Sequence, residues 1–244
     1  MNKLDSSFER SWRQRFERFG ATKQDDAAIS GWSRTGLEAR LRQFQRSWTA
    51  APGGLWLDAG CGPGTYSRYL LENRQRVVGL DYSLPSLKKA ASRSPATVAW
   101  AAADVQRLPF QPLSFDGILC FGVLQALARP DDAVAELASM LRPGAWLWID
   151  ALNDWCLLTR WKRWLGRKRI HPMRYDSPAR LRALLERHGL RDVALDWVPI
   201  APASWPRLQR FVERPSCRRI LRTLSFAGAS VSHGFVLRAR RPAA

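Results

Sequence analysis

Apolar positions change their spacing twice along this chain of 244 residues, and the changes divide it into three regions. Residues 3–19 and 35–49 carry apolar side chains at helical spacing, as in Leu37, Leu41, Phe44 and Trp48, and Pro52-Gly53-Gly54 closes the second stretch. Short, continuously apolar runs follow at 55–59, 76–81, 97–102, 115–121 and 145–150, alternating with helical patterns at 64–74, 83–93 and 130–141. Strands that are apolar throughout, rather than at every second position, are covered on both faces, so this pattern predicts a parallel sheet sandwiched by helices. Ser83 and Asp131 are the expected N-caps, and Arg142-Pro143-Gly144 is the expected helix stop before the fifth strand. Beyond Asp150 the rhythm breaks. A basic connection at 151–176 leads to a helix at 177–188 ended by Gly189 and a sixth strand at 192–198; a second basic stretch at 199–229 precedes a last strand at 230–240. Connections of that length inside a domain usually serve function.

Composition alters this picture in one respect. With 46% hydrophobic residues and 12 Trp the chain can bury a core, which excludes a disordered basic protein. Its 39 Lys and Arg against 21 Asp and Glu leave +18, distributed as +4 over 1–50, zero over 51–150 and +14 over 151–244. The excess is therefore local to the C-terminal region and suggests a polyanionic partner: lipid headgroups, nucleic acid or an acidic substrate. The first residues have no apolar stretch of the signal-peptide kind, and the longest apolar run, 117–128, is broken by Gln125 and too short to span a bilayer. Cys61, Cys120, Cys156 and Cys217 are widely spaced, without metal-ligand pairing, and read as reduced thiols. The expected location is the cytoplasm, with peripheral attachment at the inner face of the membrane as an extension, and no metal site is expected.

The sharpest chemical signal is Asp58-Ala59-Gly60-Cys61-Gly62-Pro63-Gly64-Thr65, a glycine turn between a strand and a helix. Missing side chains let a ligand approach the backbone, and free amides at a helix start can hold an anion. The dinucleotide fingerprint would need glycine where Thr65 stands, and no Gly-Lys-Ser/Thr follows to make a nucleoside triphosphate loop. Asp81 ends the second strand, where a carboxylate can accept both hydroxyls of a ribose, and Asp104 follows the third. Three carboxylates after three successive parallel strands gather at one edge of the sheet.

From residue 50 to 150 the chain resembles the class I S-adenosylmethionine-dependent methyltransferases, in particular the small-molecule, quinone-biosynthesis-like branch. The resemblance rests on five ordered features: the D-x-G-x-G-x-G loop, the acid ending strand two, the Ala103-Asp104…Leu108-Pro109-Phe110 segment, the Phe115-Asp116-Gly117-Ile118 strand and the Leu141-Arg142-Pro143-Gly144 turn. It implies a doubly wound, seven-stranded, mostly parallel Rossmann-like sheet with the last strand antiparallel, and S-adenosyl-L-methionine as cofactor. It further implies that Gly60, Gly62 and Gly64 cradle the methionine part, that Asp58 supports the loop and that Asp81 holds the ribose. Tyr82 would pack on the adenine, Asp104 would accept from its amino group, Val105 would cover the ring and Phe121 would line the sulfonium. The expected organisation is an N-terminal helical segment, 1–50, and a methyltransferase domain, 51–244, with basic helical insertions at 151–176 and 199–229.

Methyl transfer from a sulfonium asks chiefly for alignment, and for a base only if the acceptor must lose a proton. Many relatives show Leu-His-His after strand four, where this chain has Gly122-Val123-Leu124-Gln125-Ala126, and the Asn/Asp-Pro-Pro-Tyr/Phe signature of amino methylation is also missing. His171, in the first basic connection, is the candidate base; Asp150 and Tyr175 rank behind it, His188 reads as a helix cap and His233 as structural. The expected reaction is O- or C-methylation of a small, lipophilic or membrane-associated acceptor. The alternatives are an RNA methyltransferase and a cofactor-binding homologue without activity.

The basic segments are amphipathic. Trp155, Leu157, Leu158, Trp161, Trp164 and Leu165 gather on one side, with Arg160, Arg163 and Arg167 opposite and Lys162 and Lys168 flanking. From Trp205, Leu208, Phe211 and Val212 oppose Arg207, Arg210 and Arg214, and then Cys217, Ile220, Leu221 and Leu224 oppose Arg218, Arg219 and Arg222. The default for such helices is to pack their apolar side on the domain. Set against that default, the local charge gives as the alternative a lid contacting an anionic membrane surface through 155–169 and 205–224, with nucleic acid behind it.

Overall fold

The computed structural model describes residues 7–164, 173–201 and 206–243. Three helices come first: α1 (Ser7–Thr22), α2 (Asp26–Ile29) and α3 (Arg34–Ser47). The alternating region follows as β1 (Leu55–Ala59), α4 (Thr65–Glu72), β2 (Arg76–Asp81), α5 (Leu84–Ser92), β3 (Ala99–Ala102), β4 (Phe115–Cys120), a 3-10 turn at Leu124–Ala126, α6 (Pro130–Met140) and β5 (Leu141–Leu152). The remainder is α7 (Leu157–Trp164), α8 (Pro178–Arg187), β6 (Arg191–Val198), α9 (Pro206–Val212), α10 (Pro215–Thr223), α11 (Ser225–Val231) and β7 (Gly234–Arg240).

The seven strands form one sheet in the order β3-β2-β1-β4-β5-β7-β6. β7 runs antiparallel to both β5 and β6, while the pairs among β1 to β5 are parallel. The doubly wound sheet with an antiparallel last strand is thus present. Side chains alternate across it with a period of two. Leu57 and Ala59, Ile118 and Cys120, and Leu147 and Ile149 enter the core on one face with Val134 and Leu137 of α6. Trp56, Leu119 and Trp148 enter the core on the other face with Phe44 of α3 and Leu70 of α4. The same alternation sends Asp58 and Asp150 toward that second face, where Ser67 of α4 and Arg40 of α3 bind them. Gly117 has a packing reason: a Cβ there would lie 2.5 Å from the Trp56 ring.

Several boundaries differ from the periodicity, each for a local reason. Asp131 is not an N-cap; Arg129 holds that position, Pro130 starts α6 and Asp131 sits in its first turn. β5 begins at Leu141 rather than 145 because Leu141 already pairs with Phe115 across a register shift. The Ser-Val-Ser-His stretch from 230 is not strand: Ser230 and Val231 end α11, and β7 starts only at Gly234. α2 escapes periodicity because it is a four-residue helix, capped by Asp25, whose side chain accepts from the Ala28 amide. Among the described residues no helix is long and apolar enough to cross a membrane.

Candidate active site

The glycine loop leaves β1 with three left-handed backbone turns, φ being +78° at Gly60, +52° at Gly62 and +80° at Gly64. The amides of Gly60 and Cys61 both donate to the Leu80 carbonyl, at 2.7 and 2.9 Å, which ties the loop to the end of β2. A Cβ on Gly60 would stand 2.2 Å from Cγ2 of Val123, so both its conformation and its contact with the loop after β4 demand glycine. Burial pushes the Cys61 thiol well up, and it stays neutral.

Two carboxylates fix the loop. Asp81, the last residue of β2, accepts from the Gly62 amide through Oδ2 and from the Ser83 amide through Oδ1, each at 2.8 Å. Burial raises its pKa and those amides oppose the rise. Asp58 lies beneath the loop, buried, with Oδ2 accepting from the Ser67 hydroxyl at 2.6 Å. Burial, with a smaller contribution from Asp81, pushes its pKa up to about 6 against the pull of the Ser67 hydrogen bonds. Ser83, as expected, caps α5.

Of the nine positions that the resemblance implies for the cofactor, Gly60, Gly62, Asp81, Tyr82, Asp104, Val105 and Phe121 line a single cleft at the carboxyl edge of β1, β2 and β4. Asp58 and Gly64 do not line it. The cleft encloses about 960 Å3 between protein atoms, part of it open to solvent. Within it the Arg13 guanidinium stands 5.0 Å over the Tyr82 ring and pairs with Asp104 Oδ2, while Asp104 Oδ1 accepts from the Gln106 amide at 2.9 Å. Phe121 meets Tyr66 edge-on, with ring centroids 4.8 Å apart.

The opposite wall comes from the N-terminal helices. Trp12, Arg13 and Phe16 of α1, Ile29 of α2, Trp32 and Leu37 all face the cleft. Glu9, nearly buried, secures α1 by accepting from the Ala128 amide at 2.7 Å. The expected basic lid is therefore corrected: among the described residues, none beyond Leu127 lines the cleft. The reason lies at Asn153, just past β5. Its Nδ2 donates to the carbonyls of Ala229 and Ser232 at 2.7 and 2.8 Å, which leads the chain toward α11 rather than over the cofactor edge.

The candidate bases fare unequally. His171 falls outside the described residues. Asp150 is engaged on both oxygens, by Arg40 Nε at 2.8 Å and by the Gly122 amide at 2.6 Å, and it is 2% exposed. Arg40 in turn donates to the Gly36 carbonyl and lies 3.7 Å over the Trp32 ring, so this pair is a strut beneath the cleft. Tyr175 stands edge-on to His233, 6.5 Å away, and does not line the cleft. His188 is the C-cap residue of α8 and meets Asp131 at 3.2 Å, and His233 meets Thr159 at 3.2 Å; both join elements of the scaffold. Sequence reasoning missed Tyr66, whose buried hydroxyl has no hydrogen-bond partner in the structure and whose ring lines the cleft. Burial pushes its pKa well above the usual tyrosine range, so it remains a protonated donor.

The sheet order is that of the class I S-adenosylmethionine-dependent methyltransferase fold, with the glycine loop after β1 and the acid closing β2 at its carboxyl edge. Residues 57–149 match the family described as methyltransferase domain. A malonyl-[acyl-carrier protein] O-methyltransferase of Enterobacter lignolyticus is 41% identical over 88 residues, 36% of this chain and 35% of that protein. A ubiquinone biosynthesis O-methyltransferase of Idiomarina loihiensis is 27% identical over 158 residues, 60% of this chain and 65% of that one. The chain spans between 28% and 65% of the length of such curated relatives. Among solved structures, a methyltransferase of Haloferax volcanii in complex with the Trm112 methyltransferase activator superposes with a TM-score of 0.66 at 20% identity, covering 93% of this chain and 97% of that one, which is a likeness of fold.

Proposed function

We propose that the chain transfers the methyl group of S-adenosylmethionine to an oxygen or carbon of a small, lipophilic acceptor. The observation that carries this reading is the character of the wall facing the glycine loop, where Trp12, Phe16, Ile29, Trp32, Leu37 and Phe121 offer apolar and aromatic surface. Such a wall suits a flat or aliphatic acceptor and excludes water around it.

The residues present fit the cofactor: a cradle at Gly60 that a side chain would fill, and a half-buried acid at Asp81 beside it. On this reading Gly60 and Gly62 admit the methionine part, Asp81 accepts from the ribose hydroxyls, and Tyr82, Asp104 and Val105 hold the adenine. The bound cofactor supplies an electrophilic methyl group on a sulfonium. The protein's own residues bind and orient. Phe121 and Tyr66 close the space around the reacting atoms, and Tyr66 donates its free hydrogen bond to a polar atom of the acceptor. Arg13 competes for Asp104, so α1 and the adenine share one carboxylate.

A second reading, methylation of RNA, draws on the +14 charge of residues 151–244. Among the described residues, the cleft lining has no basic side chain other than Arg13, which weighs against it. Radiolabelled methyl transfer from S-adenosylmethionine into an organic-solvent extract, compared with transfer into total RNA, tests the choice. Label in the extract supports the proposal, and label in RNA alone overturns it.

A further inference from the structure

Large apolar side chains point outward from the helices of the two basic connections. Of thirteen exposed large apolar residues among those described, eleven fall between Trp155 and Val231. α7 shows that this is more than ordinary surface. At about 100° per residue, its Leu157, Leu158, Trp161 and Trp164 occupy one arc of about 120°. They are 59%, 51%, 55% and 81% exposed. Thr159, on the opposite side, is buried and meets His233 Nδ1 at 3.2 Å. The helix docks by its polar side and presents its apolar side to solvent, the reverse of the usual amphipathic arrangement. α7 packs on α11, which adds exposed Phe226, and α11 packs on α10, which adds exposed Ile220.

The surroundings are cationic. Residues 155–164 and 206–231 hold nine Lys and Arg and a single acid, Glu213. That acid is taken by Arg42 and Arg46 of α3, at 2.8 and 3.1 Å, leaving the positive charge of these segments uncompensated by their own sequence. A patch that combines exposed Trp and Leu with uncompensated Arg suits an interface between hydrocarbon and anionic headgroups. A protein partner would leave the charge unexplained, and RNA would leave the Trp and Leu side chains unexplained.

We propose that α7, together with α10 and α11, docks the protein on an anionic lipid bilayer. α7 begins seven residues after Asp150, whose carboxylate holds Gly122 of the cleft, so docking would bring the carboxyl edge of the sheet near the lipid. Delivery of a lipophilic acceptor rests on the reading given under Proposed function, but docking itself does not depend on it.

The test is sedimentation of the full chain with phosphatidylcholine vesicles, with and without phosphatidylglycerol. Expected is at least tenfold tighter binding to the anionic vesicles, weakened by salt. The same loss is expected for Trp161→Ser/Trp164→Ser and, independently, for Arg219→Glu/Arg222→Glu, with S-adenosylmethionine binding by calorimetry unchanged in both. Four results would overturn the proposal: no vesicle binding, equal binding to neutral vesicles, undiminished binding by either variant, or a dimer that the Trp variant dissociates. Failure of methyl transfer with vesicle binding intact would count against the acceptor reading instead.

Discussion

The Arg40–Asp150 pair allows the strut beneath the cleft to be tested quantitatively through Asp150→Asn. Arg40 is 1% and Asp150 2% exposed, and the two meet at 2.8 Å through Arg40 Nε and Asp150 Oδ2. Desolvating both ions is offset only while each has the other, so neutralising one leaves a buried guanidinium uncompensated, at about 3–5 kcal/mol. Nη2 of Arg40 already has no hydrogen-bond partner in the structure, so the guanidinium has little to fall back on. Against a domain stability of about 5–15 kcal/mol, that is about a fifth or more of the total. With a urea m-value of about 3 kcal/mol/M, the unfolding midpoint should fall by about 1–1.7 M. The control is Arg40→Met/Asp150→Leu, which removes both charges and should unfold near the wild-type midpoint. A midpoint for Asp150→Asn within about 0.3 M of wild type would refute the reasoning, as would a double variant less stable than the single one.

Gly60→Ala, which forces a Cβ onto Val123 at a φ of +78°, should weaken S-adenosylmethionine binding at least about tenfold by calorimetry and lower stability by about 1–3 kcal/mol. Asp58 has its folded pKa raised to about 6 from 3.8, so its contribution to stability is complete below pH ~4 and is lost as pH rises through 6; the loss is about 3 kcal/mol. Urea unfolding from pH 4 to 7 should show that decline in wild type and a flatter profile in Asp58→Asn, and parallel profiles would count against it. Tyr66→Phe removes an unpartnered buried hydroxyl, so thermal stability should hold or rise slightly while kcat/KM toward the acceptor falls about tenfold. An unchanged kcat/KM would remove Tyr66 from acceptor positioning.

Strands β1, β2 and β4 and the loop that follows β1 were readable because continuous apolar runs and glycine punctuation are local signals. Asp81 was readable because its position depends only on where β2 ends. The cleft's second wall was not. Trp12 and Phe16 lie four residues apart on α1, a spacing any packed helix shows, and the face they meet begins only at Gly60, far along the sequence. The Arg13–Asp104 and Glu9–Ala128 contacts have the same non-local origin. α7 carries a sharper lesson: its amphipathic pattern was plain, but only Thr159 buried against His233 reveals which side faces the protein. The stretch from 230 misled because Val231 and the residues about it have strand-like propensity, while Ala229 and Gly228 pack α11 against the sheet near Trp197.

The central claim is that the cleft between the glycine loop and α1 holds S-adenosylmethionine, and isothermal calorimetry on the full chain tests it most directly. The account predicts saturable binding of one cofactor per chain, weakened at least about tenfold by Asp81→Ala, which removes the ribose acceptor and frees the Gly62 amide. Absence of saturable binding, or binding that Asp81→Ala leaves unchanged, would contradict it.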